Sequence, residues 1–583
     1  MPIITSKFLK HVIALFIFLV ASFYLTFPLA LHFKDYTPGN VDELYITWIL
    51  NWDIHTLTTN ISNLFDGNIY YPYSYSIAYS DLHLSSAIIG LLPVILTQEP
   101  LTAYTVNLFL SFALLGFTMY LLVYFLTSDF WSSTTSGMIF GFSTYLLPKL
   151  GHLQVLTCYW IALSVLCHLL YIKSGKFRYF LLTLFFFYLQ FVNSFQPAYF
   201  LVFCLITISV YEVVTKRKTL PLFINKRTVT AVIIVLLISL PIIYPYYYTS
   251  LSQGYTRDIR EAIHTANRPE HFFLNYGRSY IGPMLYSLLY KNPGPFLYDG
   301  YRGFMSIILT FLVILYSLFK WKKPKPAYFS LFTSIALASY MISLGPAFQL
   351  GGKVIKEPFM IPLPYALLYY LAPGFQGFRN SGRWEMYEIF AFCVAIGILL
   401  AFLLKTKKIL RIVINVIFCA AVLIEFTFPI KYMTVPTSKN IPNVYNFIAL
   451  TNKNSVIAEF PIYNWNMSPY ASDEELRIYY STYHFRKTIN GGGGFSPFPW
   501  QKTIEELASS FPNAKAITQL KKLKINYIIV HDTEFDKLFL DNYSILGYSI
   551  PNSKMVKTML SENKSVKYID TFDNKDSVYK IIY

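Results

Sequence analysis

The chain has 583 residues, 55% of them hydrophobic and only 14% charged, with a formal net charge of +17. A soluble domain carries about 25% charge, so this composition excludes a disordered chain and speaks against a wholly soluble enzyme. The 49 tyrosines and 51 phenylalanines suit bilayer interfaces and lipid-facing helices.

A membrane-crossing helix needs about 20 apolar residues. In chain order such segments fall near 9–31, 103–126, 133–148, 153–172, 178–194, 197–215, 228–248, 302–320, 327–346, 384–404 and 409–430. The first follows Lys7 and Lys10, as a signal peptide would. Its apolar run is too long for one and lacks a small-residue cleavage site, so it reads as an anchor. Residues 84–97, LSSAIIGLLPVILT, are short for a span and contain Pro93. They read as a helix lying in, or dipping into, the outer interface. The expected fold class is an α-helical multispan membrane protein of about eleven transmembrane helices.

The basic residues sit in short runs between apolar segments: Lys173, Lys176 and Arg178; Lys216 to Lys218 with Lys226 and Arg227; Lys320, Lys322, Lys323 and Lys325; Lys405, Lys407, Lys408 and Arg411. Cytoplasmic loops carry such an excess. This puts the N-terminus in the cytoplasm and the C-terminal region outside, in a multi-pass cell-membrane protein. A nucleic-acid partner is not expected, because it would call for one continuous basic face. Cys158, Cys167, Cys204, Cys393 and Cys419 all lie in apolar segments, with no CxxC spacing. That argues against a zinc site or a disulfide framework.

Two domains follow. Residues 1–430 form the membrane domain, with outer loops at 32–102, 249–301 and 347–383. In 431–583 charge rises and the apolar runs SVIAEFPI, NYIIVHD and VYKIIY shorten to strand length. They alternate with TIEELASSF and AKAITQLKKLK, which have a helical period. This predicts a small C-terminal α/β domain on the outer face.

The inner loops are short and basic, so the candidate chemistry lies on the outer side. Asp42 and Glu43 follow the first span, and Asp81 and His83 precede the interfacial helix. Adjacent carboxylates beside apolar surface suit a general base; a solvated acidic pair and a helix cap are the alternatives. His152 and Gln154 occupy the turn after the third span, and Gln196 and Tyr199 the turn after the fifth. Polar groups at that level face a cavity or cap helix ends. Arg257, Arg260, Arg379 and Arg383 stand on the outer face against the usual charge bias. Arginine forks hold phosphate; pairing with Asp258 and Glu261 is the other reading. The tetraglycine Gly491–Gly494 is not followed by GK[ST], so it reads as a flexible or close-packed loop rather than a nucleotide loop.

Taken in order, these residues resemble the GT-C glycosyltransferases, in particular the protein mannosyltransferase and aminoarabinose transferase type and related bacterial multispan members. The resemblance rests on Asp42–Glu43 after the first span, Tyr70–Pro72, FGFSTYLLPKLGHLQ, and LPYALLYYLAPGFQGFRNSGRW before the tenth span. It implies transfer, with inversion, of a sugar from a polyprenyl-phosphate carrier to a glycan, lipid or protein acceptor on the outer face, with membrane lipid as the surroundings. By carry-over Asp42 is the base or acceptor-orienting carboxylate, with Glu43 its neighbour. Better-known members often carry a carboxylate where this chain has His152 and Gln154. No metal ligand is therefore assigned, and a divalent cation as cofactor stays open. Competing readings are a transporter or flippase of lipid-linked saccharides and a non-catalytic envelope assembly protein.

Overall fold

The computed structural model describes residues 2–253, 257–269, 303–319, 325–350, 353–356, 360–427, 430–464, 472–545 and 547–583, without the side chains of 2–7, 218 and 545. Much of the expected outer loop 249–301 and most of the third basic run therefore lie outside the described residues. The chain divides into two units. The first comprises Met1–Leu31, Asn107–Pro241 and Tyr255–Lys431; the second comprises His32–Val106, Ile242–Gly254 and Tyr432–Tyr583. The break near residue 431 falls where the composition changes, and residues 32–106 group with the C-terminal residues.

The protein is mostly helical and multi-pass. Seven helices among the described residues are long and apolar enough to cross a membrane: Phe8–Thr26, Leu101–Thr127, Leu153–Ser174, Phe195–Thr215, Lys226–Gln253, Ser381–Leu403 and Lys408–Phe426. Phe177–Phe191, Phe304–Phe319, Phe329–Ser343 and the interfacial candidate Leu84–Thr97 are shorter apolar helices.

The 133–148 segment differs most from expectation. Its helix runs only over Phe130–Gly141, and a 3-10 turn with Pro148 follows at Thr144–Lys149. Twelve helical residues cover about 18 Å at 1.5 Å each, well short of a bilayer core. The Asp129 side chain caps the helix start by accepting from Ser132 N at 2.8 Å. The helix is buried along nearly its whole length. Gly137 and Gly141 lie directly on the backbone of the Leu101–Thr127 helix at Gly116. Small residues four apart allow two membrane helices this close an approach. Serine and threonine fill much of the remaining surface: Ser132, Ser133, Thr135 and Ser136 are each fully buried.

The second unit contains a five-stranded sheet. Its strands are β1 (Val456–Phe460), β2 (Lys487–Thr488), β3 (Tyr527–His531), β4 (Val566–Phe572) and β5 (Asp576–Ile581). The spatial order is β4-β5-β3-β1-β2; β1 is parallel to both β2 and β3, and β5 is antiparallel to β3 and β4. Parallel neighbours need long crossovers. Ser472–Ser481 lies in the first crossover, and Phe498–Ser510 and Ala514–Lys522 lie in the second. β1 is buried at every position, as a central parallel strand should be.

The segment expected to form the first outer loop joins this sheet at its edge. Thr488 N donates to Asn68 O at 2.8 Å, Tyr70 N to Asn490 O at 3.0 Å and Tyr71 N to Thr488 O at 3.0 Å. The glycine run packs against the same segment. The Tyr70 hydroxyl donates to Gly492 O and, at 3.0 Å, to Phe495 O. Gly493, at φ +97°, sits against the Tyr45 ring, where a side chain would be both strained and blocked. Three of the four glycines are therefore close-packed, and Gly494 faces open space.

Candidate active site

In the first unit, the Leu153–Ser174, Phe195–Thr215 and Ser381–Leu403 segments bring their polar ends together. A narrow cavity of about 10 Å³, room for about one water, is lined by Gln154, Ser194, Gln196 and Arg383 on its polar side. Cys158, Pro197, Met386 and Tyr387 supply apolar wall. Arg383 Nε and Gln154 Oε1 are buried without a hydrogen-bond partner among the described residues. His152 stands beside this group. Burial, and then the positive charges of Arg383, Lys149 and Arg379, push its imidazole down to about 3. It is thus neutral at neutral pH, an imidazole among cations.

Lys149 was not legible as part of this set. It is 5% exposed, and its Nζ stands 5.4 Å from the Tyr145 ring centroid. The available signal was a lysine next to Pro148 in a turn expected at the outer level, away from the basic runs expected inside.

The loop that carries Arg379 and Arg383 is irregular, yet its carbonyls are individually held. Tyr365 Oη donates to Phe378 O at 2.9 Å and Thr265 Oγ1 to Arg379 O at 2.9 Å. Gln196 Nε2 donates to Asn380 O at 3.0 Å and Asn267 Nδ2 to Gly382 O at 3.3 Å. Asn380 Oδ1 in turn accepts from Arg383 N at 3.2 Å, capping the 3-10 turn Ser381–Trp384. Tyr199 works nearby in the same way, donating to Pro373 O at 3.1 Å. Gln196 and Tyr199 thus act on protein backbone.

The other two arginines have acidic partners. Arg257 pairs with Glu261 at 3.2 Å, and Arg260, largely exposed, stands 3.7 Å from Asp258. Their charge is shared with these carboxylates, whereas Arg383 Nε has no hydrogen-bond partner among the described residues.

In the second unit, Asp42 and Glu43 open the helix Asp42–Thr58. Carboxylates are favoured there by the positive end of the helix dipole. Asp42 is exposed and Glu43 is 9% exposed. The Glu43 carboxyl lies over Gly39, where a Cβ would come within 2.5 Å of it. Asp81 is half-buried. His83 is buried in a left-handed conformation, and its carbonyl accepts from Ser86 N and Ala87 N at the start of Leu84–Thr97.

The crevice at the carboxyl ends of β1 and β3 is the ordinary ligand position in such a sheet. Charged and polar side chains of the described residues bond to one another there. Arg477 donates to Pro461 O at 2.6 Å, to Glu474 at 2.9 Å and to Glu534. Asn490 Nδ2 bonds Glu459 O and both Glu474 oxygens. His531 bridges Asp576 at 2.7 Å and Glu459 at 3.2 Å.

Among the described residues no group of three or more His, Cys, Asp or Glu side chains is placed to hold a metal ion. The cations and amides around the first unit's cavity suit an anion rather than a divalent cation.

No family model matches the chain, and no curated protein matches it in sequence. Solved structures do match in fold. The arabinofuranosyltransferase AftD from Mycobacteria gives a TM-score of 0.57 at 12% identity, covering 98% of this chain and 40% of that one. This chain thus spans well under half the length of AftD. The oligosaccharyltransferase of Archaeoglobus fulgidus gives 0.49 at 13% identity, over 90% of this chain and 70% of that one. ArnT from Cupriavidus metallidurans, bound to undecaprenyl phosphate, gives 0.43 at 10% identity, over 99% and 98%. The fold is GT-C-like, with a small sheet-containing unit at the C-terminal end.

Proposed function

We propose that this chain is an integral membrane glycosyltransferase that moves a sugar from a polyprenyl-phosphate carrier to an acceptor on the outer face, with inversion. One observation carries the reading: a small cavity at the ends of membrane helices, with Arg383 on its wall and Arg379, Lys149 and Arg383 acting together on a neutral His152. Clustered cations in a partly buried site stabilise a phosphate that gains charge as its bond to the sugar breaks. The GT-C-like fold supports the same conclusion, as does the apolar surface that a lipid tail needs.

In this scheme the acceptor hydroxyl attacks the anomeric carbon from the face opposite the phosphate. The carbon–oxygen bond to the phosphate breaks, and the carrier leaves as polyprenyl monophosphate. Asp42, by resemblance and by its exposure, takes or orients the acceptor proton. Arg383 and Arg379 hold the leaving phosphate, and neutral His152 offers it a hydrogen bond without further charge.

The test uses the full chain in lipid nanodiscs with a panel of polyprenyl-phosphate sugars. Release of polyprenyl monophosphate coupled to acceptor glycosylation is expected. Absence of both turnover and polyprenyl-phosphate binding would overturn the reading.

A further inference from the structure

The loop Phe378–Arg383 has little regular structure, and its backbone acceptors are met by side chains from elsewhere in the same unit. Four carbonyls, those of Phe378, Arg379, Asn380 and Gly382, each accept from a different side chain: Tyr365, Thr265, Gln196 and Asn267 respectively. Ser381 Oγ donates to Ala262 O at 2.7 Å, and Gly382 N donates to Thr265 O at 3.1 Å. A Cβ at Gly382 would lie 2.6 Å from Thr265 O, so the two chains touch backbone to backbone. Asn267 is itself fixed: its side chain donates to the buried Glu385 at 2.7 Å, and its backbone N–H donates to Ser343 O at 2.9 Å. A loop with little regular structure ordinarily moves; one held at successive peptide groups does not.

We infer that Gln196, Thr265, Asn267 and Tyr365 are positioning residues whose task is to present Arg379 and Arg383 already in place for the carrier phosphate. The inference rests on the proposed function for its ligand, and on these hydrogen bonds alone for the clamp. Its physical basis is that a guanidinium fork ordered before binding loses less freedom when the phosphate arrives. Gln196 is central, because it is 6% exposed, lines the cavity and bonds the residue whose side chain caps the Arg383 turn.

The experiment uses the full chain in nanodiscs with undecaprenyl phosphate as the probe. Gln196→Met keeps length and removes the donor; Thr265→Val removes a donor, and Thr265→Ser restores it. Hydrogen exchange of the amides at 379–383, read without lipid, should quicken in Gln196→Met and Thr265→Val and stay near wild type in Thr265→Ser. Binding of undecaprenyl phosphate should weaken about five- to tenfold in the first two, the value of one hydrogen bond. In a background with both Arg379→Ala and Arg383→Ala the further loss from Gln196→Met should shrink to less than about twofold, because the coupled partners are gone. Equal losses in both backgrounds would make Gln196 merely structural and overturn the assignment. Unchanged exchange at 379–383 would overturn the clamp directly. If the wild type binds no undecaprenyl phosphate, the proposed function fails, and the exchange measurement still decides the clamp.

Discussion

The guanidinium of Arg383 bears on the imidazole of His152: after burial, it is the largest influence pushing that imidazole down to about 3. The folded state therefore keeps His152 neutral, while the unfolded chain protonates it near 6.5. Between these values the unfolded chain binds the extra proton, so stability falls as pH drops from about 6.5 to about 3. Thermal unfolding followed against pH should show this slope, and His152→Gln should flatten it. An unchanged slope in the variant would mean that other groups carry it.

Arg383 lines the cavity, its Nε has no partner among the described residues, and in the proposed function it is the fork for the phosphate. Arg383→Lys keeps the charge and loses the paired donors. Binding of undecaprenyl phosphate should weaken about tenfold or more, on the scale of a lost charge-assisted hydrogen bond. Arg260→Lys should change little, since Arg260 is largely exposed and stands beside Asp258. Equal effects of the two substitutions would remove the distinction drawn between them.

The membrane helices were legible because length and apolarity are local properties; each of the eleven expected segments contains a helix. The shortening of the third to Phe130–Gly141 was not, because it depends on a contact with Gly116 in another helix. β1, β3 and β5 announced themselves as apolar runs, whereas β4, at a sheet edge, buries only Val566 and otherwise mixes exposed and half-buried positions, and gave no such signal. The grouping of His32–Val106 with the C-terminal residues was hidden for the same reason, since residues 68–71 meet 488–490 across some 420 positions of chain. At the site, Gln154, Gln196 and Arg383 were readable as polar groups at one level of the membrane, and they do line one cavity. Lys149 was missed, and the pairing of Arg257 and Arg260 with acids was one of two open readings.

Gly137 offers a test of the helix crossing. An added methyl there would run into the carbonyl of Gly116 and the Phe18 ring. Backbone cannot yield as a flexible side chain can, so Gly137→Ala should cost about 1–3 kcal/mol. Gly494→Ala, where an added methyl would meet nothing within 4 Å, should be near neutral. Comparing unfolding temperatures in one detergent checks both; a neutral Gly137→Ala would mean the helices do not meet this closely.

His531 titrates in the opposite sense to His152. Burial and Arg477 lower it, but Glu534, Asp576 and Glu459 prevail and hold it at about 10. The folded state thus keeps a proton that the unfolded chain releases near 6.5. The stability this contributes is full below about 6.5 and is lost as pH rises through about 10. His531→Gln should lower stability at neutral pH and remove the alkaline slope. If the slope survives, the Glu459–His531–Asp576 bridge is not its source.

Asp42 is the final assignment to test. It is exposed in the first turn of its helix, while Glu43 is tucked over Gly39. An acceptor can reach the first carboxylate, whereas the second is suited to holding local geometry. Asp42→Asn keeps size and removes the basic oxygen, and loss of a general base costs about 10²–10⁴-fold in rate. Turnover of the lipid-linked sugar should therefore nearly vanish while undecaprenyl-phosphate binding and unfolding temperature stay close to wild type. Glu43→Gln should lower turnover less and disturb stability more, because its carboxyl is buried against backbone. A folded Asp42→Asn protein that turns over at the wild-type rate would remove Asp42 from the mechanism and leave Asp81, half-buried in the same unit, as the next carboxylate to examine.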